Sequence, residues 1–344
     1  MSTSAKHVIC AFVREGQPDR FTPFLHELGV EDRVELRVVR GDGPAEPEDV
    51  GDAEALIMGW KGIDYARLSE MPRLRLVCRQ SIGIDGVDID ALSAAGVGAC
   101  NTPNWCSYDV GLHSVALMLD LYKKVTYLDR HYRAGETSAQ ALYEPNRPCG
   151  QTFGMVFFGH IAQCTLPVIK ALAMDVLVYA PTKSAEYLKS FGCEKAETVD
   201  ELCSRSDVVS LYCPLIPETR HIIGERQLSL MKPTAFLVNV ARGGLVDDAA
   251  LARALREGRI RGAGLDCLEG EHDPGFDPKG NELLALENVV ATPHAAWYSV
   301  EARAEQPQIA LRQLVSYLLD GKAPSGLANP EVLGFPARTH QTIK

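Results

Sequence analysis

Three polar constellations mark the second half of the 344-residue chain. The first is Asn239-Val240-Ala241-Arg242-Gly243-Gly244, and the second is Asp266-Cys267-Leu268-Glu269-Gly270-Glu271. The third is Thr292-Pro293-His294-Ala295-Ala296-Trp297. Each follows or ends a short apolar run that reads as a buried parallel strand: Phe236–Asn239, Gly262–Asp266 and Val289–Thr292. Ligands of open α/β sheets collect beyond the carboxyl ends of such strands. A guanidinium, a carboxylate and an imidazole gathered there could bind a small anionic 2-oxo acid and protonate its carbonyl. Singly, each has a plainer reading: Arg242 as a structural ion pair, Glu271 as a solvated loop residue, His294 as a strand-end cap. Their joint occurrence carries the chemistry.

A fourth constellation is Gly154-Met155-Val156-Phe157-Phe158-Gly159-His160-Ile161-Ala162, at a strand-to-helix junction. A dinucleotide fingerprint, Gly-x-Gly-x-x-Gly/Ala, uses its residues for a tight turn, close approach to pyrophosphate and helix packing. Gly159 and Ala162 fit the second and third positions, with His160 and Ile161 between them. Phe157 stands at the first, where a side chain disfavours the turn. About twenty residues on, where an acid would bind the ribose, stands Ala180. Thr182, Lys183 and Ser184 could instead receive a 2′-phosphate, which favours NADP; a plain surface loop is an equal reading.

The elements that must hold these groups alternate regularly. Apolar runs at His7–Phe12, Val34–Val39, Ala55–Met58 and Leu74–Cys78 read as strands. A second series follows at Met155–Phe158, Val176–Tyr179, Val208–Leu211 and the three runs named above. Helical patterns fall at Asp109–Tyr122, Ile161–Ala173 and Ala249–Arg256, with Gly258 as a stop. Alternating βα units with continuous apolar strands imply parallel sheets covered on both faces, in two α/β domains. Ala134–Cys149 reads as a surface connection. Trp60 and Trp105 read as core or rim. The net charge of −10 argues against nucleic-acid binding. No apolar run approaches the ~20 residues of a membrane span. The ten cysteines form no Cys-x-x-Cys pair and no zinc-finger spacing, so no metal is expected. With no signal-peptide pattern at the start, a reduced, cytoplasmic protein is the simplest expectation.

From about Leu74 to Gly321 the sequence resembles the D-isomer-specific 2-hydroxyacid dehydrogenase family. The His294-Ala295-Ala296-Trp297-Tyr298-Ser299 motif is similar to the C-terminal-binding-protein-like branch. Arg79-Gln80-Ser81-Ile82-Gly83-Ile84-Asp85 resembles the family's substrate-carboxylate loop, and Asn101-Thr102-Pro103 its crossover between domains. Cys213-Pro214-Leu215 with Thr219 resembles the loop beside the nicotinamide ribose, with Ala241 close by. The resemblance implies that Arg242 binds the substrate carboxylate and polarises its carbonyl. His294 would be the general acid in reduction, and Glu271 would hydrogen-bond it. Asp266 would hold the nicotinamide carboxamide, and NAD or NADP would exchange the hydride. Ser81, Ile82 and Gly83 would contact substrate, and Trp297 would shape its side-chain pocket. Cys213 and Cys267 fall beside these motifs, where alkylation could perturb them.

Two doubly wound parallel-sheet domains are expected, with an active-site cleft between them. A smaller, flavodoxin-like substrate domain spans 1–105 and 300–332, a Rossmann-type cofactor domain spans 106–299, and 333–344 is a tail. A homodimer is expected, with the Asp109–Tyr122 helix near its interface. Departures cluster at the cofactor: Phe157, His160, Ala180, and Leu112 in place of an acid. This eroded fingerprint leaves three readings. One is an NAD(P)-dependent 2-oxo acid reductase. Another is non-redox acid/base chemistry on an anionic substrate without the dinucleotide. The third is a non-catalytic dinucleotide sensor.

Overall fold

The computed structural model describes residues 5–59, 62–137, 143–144 and 146–336. Trp60, residues 138–142 and 145 of the expected connection, and residues 337–344 of the expected tail lie outside it. The chain divides into two compact units, one of Met1–Trp105 with Ser299–His340, the other built on Cys106–Tyr298.

The first unit begins β1 (His7–Val13), α1 (Phe21–Leu28), β2 (Val34–Arg40), α2 (Pro47–Val50), β3 (Ala55–Met58), β4 (Leu76–Arg79), α3 (Ile89–Ala94) and β5 (Gly98–Asn101). The strands pair in parallel in the order β2-β1-β3-β4-β5. This is the flavodoxin-like order. Along β1, Ile9, Ala11 and Val13 enter one apolar cluster while Val8, Cys10 and Phe12 enter another. Successive side chains point to opposite faces, so a strand covered on both sides must be apolar throughout.

The second unit runs α4 (Ser107–Lys123), α5 (Val125–Arg133), β6 (Thr152–Val156), α6 (His160–Ala171), β7 (Asp175–Tyr179), α7 (Ala185–Ser190), β8 (Glu194–Lys195), α8 (Val199–Arg205) and β9 (Val208–Leu211). It continues with α9 (Glu225–Leu230), β10 (Phe236–Asn239), α10 (Asp248–Arg256), β11 (Gly262–Leu265) and β12 (Val289–Ala291). Its sheet is parallel, in the order β8-β7-β6-β9-β10-β11-β12. That is the doubly wound dinucleotide-binding order extended by one strand, and the order reverses at β6. Asp247 caps α10 by accepting the Ala250 N–H, and Gly258 follows the helix at φ +67°. The chain then returns to the first unit through α11 (Val300–Asp320), whose Leu311 and Leu314 join the cluster beneath α1.

Two expectations need correction. The strand expected over Met155–Phe158 starts at Thr152 and ends at Val156, because the backbone at Phe157 turns to φ +72°. Ordered chain also passes residue 333: Leu333 and Phe335 pack on the α11 cluster, and Phe335 meets the Tyr317 ring edge-on. Among the described residues, no helix is long and apolar enough to cross a membrane.

Candidate active site

The three chemical groups of the second unit converge at the carboxyl ends of β10, β11 and β12. Sheet register begins the placement: Asn239 pairs with Leu265, and Leu265 pairs with Ala291. The loops that leave these strands therefore start side by side. His294 Nδ1 lies 2.7 Å from Glu271 Oε1. The other Glu271 oxygen accepts the Leu268 N–H at 3.1 Å. This leaves the imidazole held by a carboxylate at Nδ1, while Nε2 has no protein partner among the described residues.

His294 takes φ +51°. That left-handed backbone costs a non-glycine residue roughly 1–2 kcal/mol and persists only when neighbours over-determine it. Here they do. The His294 N–H donates to Asp266 O at 2.9 Å, and the Asp266 carboxylate accepts the N–H groups of Ala295 at 2.8 Å and Ala296 at 3.0 Å. Thr292 Oγ1 donates to the same carboxylate at 2.6 Å. Asp266 is only 1% exposed and is fixed to Asn239 O through its own N–H. The expectation that Asp266 reaches a carboxamide thus meets a carboxylate already engaged with three donors. What it does in this structure is hold the His294 turn.

Arg242 follows β10 in a loop pinned by Asn239, whose Nδ2 donates to Arg242 O and whose Oδ1 accepts the Ala241 N–H. Arg242 Nη1 donates to Ala241 O at 2.7 Å. The next residue has to be glycine. A Cβ at Gly243 would lie 2.0 Å from the Leu268 carbonyl carbon and 2.4 Å from Glu269 N. Backbone therefore meets backbone there, and this contact presses the Arg242 loop against the segment carrying Glu271. Beyond it, Asp248 accepts the Glu269 N–H at 3.1 Å, and burial pushes its carboxyl up to about 6.

The remaining expected residues fall in separate places. Gly159 precedes α6 with nothing within 4 Å of where its Cβ would be, and His160 beside it is exposed. Ile161 is half-buried and Ala162 buried in the first turn of α6. Phe157 keeps the left-handed turn that glycine would supply, and its ring lies edge-on to Tyr179, 6.3 Å away, packed on the apolar cluster. The turn that a side chain disfavours is thus present at Phe157, at a backbone cost. Thr182 is exposed after β7, and Lys183 rests its Nζ 5.0 Å above the Tyr187 ring. Ser184 caps α7 by accepting the Tyr187 N–H.

Three further expectations change. Thr219 is 1% exposed, and its hydroxyl closes its own loop by donating to Pro214 O at 2.7 Å and accepting the Ile216 N–H, so it is not presented to a ligand. Cys213 is buried, and burial pushes its thiol up to about 12. Cys267 is 1% exposed, with Sγ 3.4 Å from Ala241 O. Both thiols are buried. Trp297 is half-buried, with its ring 5.3 Å from that of Tyr298. In the first unit, Ser81 follows β4, donates to Gly83 O at 2.6 Å and accepts from Arg79 Nε; Asn101 donates to Ile82 O. That loop is rigidly built.

From sequence, His113 on its apolar helix reads as a structural or surface residue. It sits on α4 with Nε2 2.9 Å from Thr292 Oγ1 and 3.6 Å from Asp266. One histidine on an apolar helix gives no sequence signal for a partner 179 residues away.

Comparison with known proteins places the chain among named relatives. Residues 115–296 match the family model described as D-isomer specific 2-hydroxyacid dehydrogenase, NAD binding domain. The chain is 36% identical over 293 residues to a glyoxylate reductase of Pyrococcus furiosus, covering 83% of this chain and 85% of that protein. It is 34% identical over 284 residues to a D-3-phosphoglycerate dehydrogenase of Methanocaldococcus jannaschii, covering 82% of this chain but about half (53%) of that longer relative. The D-lactate dehydrogenase of Aquifex aeolicus, solved with NAD and lactic acid, superposes with a TM-score of 0.77 at 28% identity, covering 92% of this chain and 96% of that one. With the strand-end Arg, Glu and His in place and relatives matched over most of its length, the chain belongs to the D-isomer-specific 2-hydroxyacid dehydrogenase family.

Proposed function

We propose that the protein is an NAD(P)-dependent enzyme interconverting a 2-oxo acid and a D-2-hydroxy acid. The observation that carries this reading is the 2.7 Å contact of His294 Nδ1 with Glu271, joined to the Arg242 loop by backbone contact at Gly243. Glu271 fixes the orientation of the imidazole through Nδ1. His294 Nε2 then gives a proton to the carbonyl oxygen in reduction and takes it back in oxidation. Arg242 supplies positive charge for the substrate carboxylate. Ser81, Ile82 and Gly83 are proposed to contact substrate, and Trp297 to line the space for its side chain. Glyoxylate, a 2-oxo acid, and lactate, a 2-hydroxy acid, are named for the relatives and support a small acid of this kind as substrate.

The second unit fits a dinucleotide. Open space lies before the N-terminus of α6, at the point where strand order reverses, and helix N-termini favour phosphate. Gly159, His160, Ile161 and Ala162 would hold the pyrophosphate, and Cys213, Pro214, Ala241 and Asp266 would flank the nicotinamide end. When bound, the dinucleotide supplies or accepts the hydride. We infer NADP over NAD, because β7 ends without a carboxylate and Ala180 is buried, while Thr182 and Lys183 follow. The turn kept at Phe157 supports dinucleotide binding although glycine is absent there. Exposed Tyr108 and Leu112 on α4, with Val125 and Tyr132 on α5, support a homodimer through this unit. Light scattering on the purified protein tests that.

The deciding experiment titrates the protein with NADH and NADPH, followed by nicotinamide fluorescence, then assays 2-oxo acids. NADPH binds more tightly, and His294→Ala lowers turnover roughly 10²–10⁴-fold while cofactor still binds. Absence of binding by either nucleotide at millimolar concentration refutes the proposal.

A further inference from the structure

Cys267, Glu271 and His294 come from two loops, and each offers one ligand atom. These atoms all lie within 4.8 Å of one another. Cys267 Sγ is 3.7 Å from His294 Nδ1, and Glu271 Oε1 is 2.7 Å from the same nitrogen. A tetrahedral zinc ion, with bonds of about 2.3 Å to sulfur and about 2.0 Å to nitrogen, sets those two ligands about 3.5 Å apart. The sulfur–nitrogen pair already has that spacing. The carboxylate has to open by only about half an ångström from its hydrogen-bonded position.

We propose that these three residues form a binding site for a borderline-soft divalent transition metal, of which zinc is the natural member. The donor set argues for that class: thiolate with imidazole selects zinc or cobalt over magnesium and calcium, which take oxygen. The thiolate and the carboxylate together neutralise a dication, so its partial burial is not opposed by net charge. The ligands are also held in advance. Glu271 is fixed through Leu268 N–H, the His294 backbone through Asp266, and Cys267 beside Ala241 O. Three protein ligands leave a fourth position for water, as in open zinc sites.

The metal displaces the proton shared by Glu271 and Nδ1 and the thiol proton of Cys267, both of which pass to solvent. On the reductase reading, zinc therefore inhibits; binding itself does not depend on that reading. The experiment titrates the untagged full chain, reduced with a phosphine and freed of thiols, with cobalt(II). A thiolate-to-cobalt charge-transfer band grows to one metal per chain, and zinc abolishes it. Cys267→Ala and His294→Ala each weaken binding at least about tenfold. X-ray absorption on the wild-type cobalt complex reads one sulfur among nitrogen and oxygen neighbours, whether or not a variant folds. A sulfur-free shell, no band at millimolar cobalt, or a band unchanged in Cys267→Ala overturns the site; the last would point to exposed Cys149. In turnover assays zinc inhibits the wild type and spares Cys267→Ala, and equal inhibition of both overturns the coupling to catalysis. An inactive enzyme leaves the cobalt result intact, so the two proposals fail separately.

Discussion

Gly243→Ala tests the geometry most sharply, because its effect follows from a single contact between backbones. The added Cβ would sit 2.0 Å from the Leu268 carbonyl carbon and 2.1 Å from its oxygen. Ordinary carbon contacts need roughly 3.5 Å, so the two loops must separate by about 1.5 Å. Neither side is a flexible side chain that can swing away. One loop carries Arg242 and the other carries Glu271, so the charge proposed to bind substrate moves relative to the group that orients His294. Overpacking of this kind costs typically 1–3 kcal/mol of stability. A misplacement near 1 Å in a catalytic set costs on the order of 10² in rate. The assay is steady-state reduction of glyoxylate, with thermal unfolding and NADPH fluorescence run in parallel. The expected result is a folded protein that binds NADPH and loses about a hundredfold in kcat/KM. Gly244→Ala is the control, since its Cβ meets the tip of the Leu215 side chain at 3.1 Å, which can shift. A folded Gly243→Ala enzyme with kcat/KM within about threefold of wild type would refute the reasoning.

Further outcomes follow from neighbouring contacts. Asp266→Asn turns an amide N–H₂ toward the donors that Asp266 now accepts, leaving a buried donor unpaired at a cost of about 1–3 kcal/mol. Calorimetry should show a lower Tm, and turnover should fall with it because the His294 turn loosens; an unchanged Tm contradicts the scaffold role. Asp248 has its folded pKa raised to about 6 by burial, above its unfolded value, so its contribution to stability is present in acid and is lost as pH rises from about 4 through about 6. Asp248→Asn keeps an acceptor for the Glu269 N–H and removes that loss. The variant should therefore gain stability relative to wild type across this window and hold the gain at neutral pH, on the order of 2–3 kcal/mol; equal Tm-against-pH curves would count against it. Trp297→Ala should shift the preference among small and bulky 2-oxo acids, measured as kcat/KM ratios, and an unchanged ratio removes its proposed place beside the substrate.

The fold class was legible because both sheets are buried on two faces. Ala55–Met58, Val208–Leu211 and Phe236–Asn239 stand in the structure with the bounds that their apolar runs suggested. At β6 the same rule overran. Met155, Val156, Phe157 and Phe158 are all apolar, yet pairing stops at Val156 because the turn to α6 needs a positive φ, which a hydropathy pattern does not encode. Thr219 was read as a ligand from its motif, but a buried hydroxyl beside a carbonyl of its own loop finds its partner locally.

By itself the sequence determined the alternation of strands and helices, and it placed Arg242, Glu271 and His294 just beyond three strand ends. Tertiary structure decided how those groups are held. Parallel register of Leu265 with Ala291 is what lets residues 23 and 27 positions apart, Glu271 and Cys267, meet His294. Closure of the Asp266 carboxylate by two amides and a hydroxyl, the backbone contact at Gly243 and the approach of His113 from α4 arise the same way. Each depends on distances between loops far apart in the chain, and those distances exist only once the helices have packed the sheet.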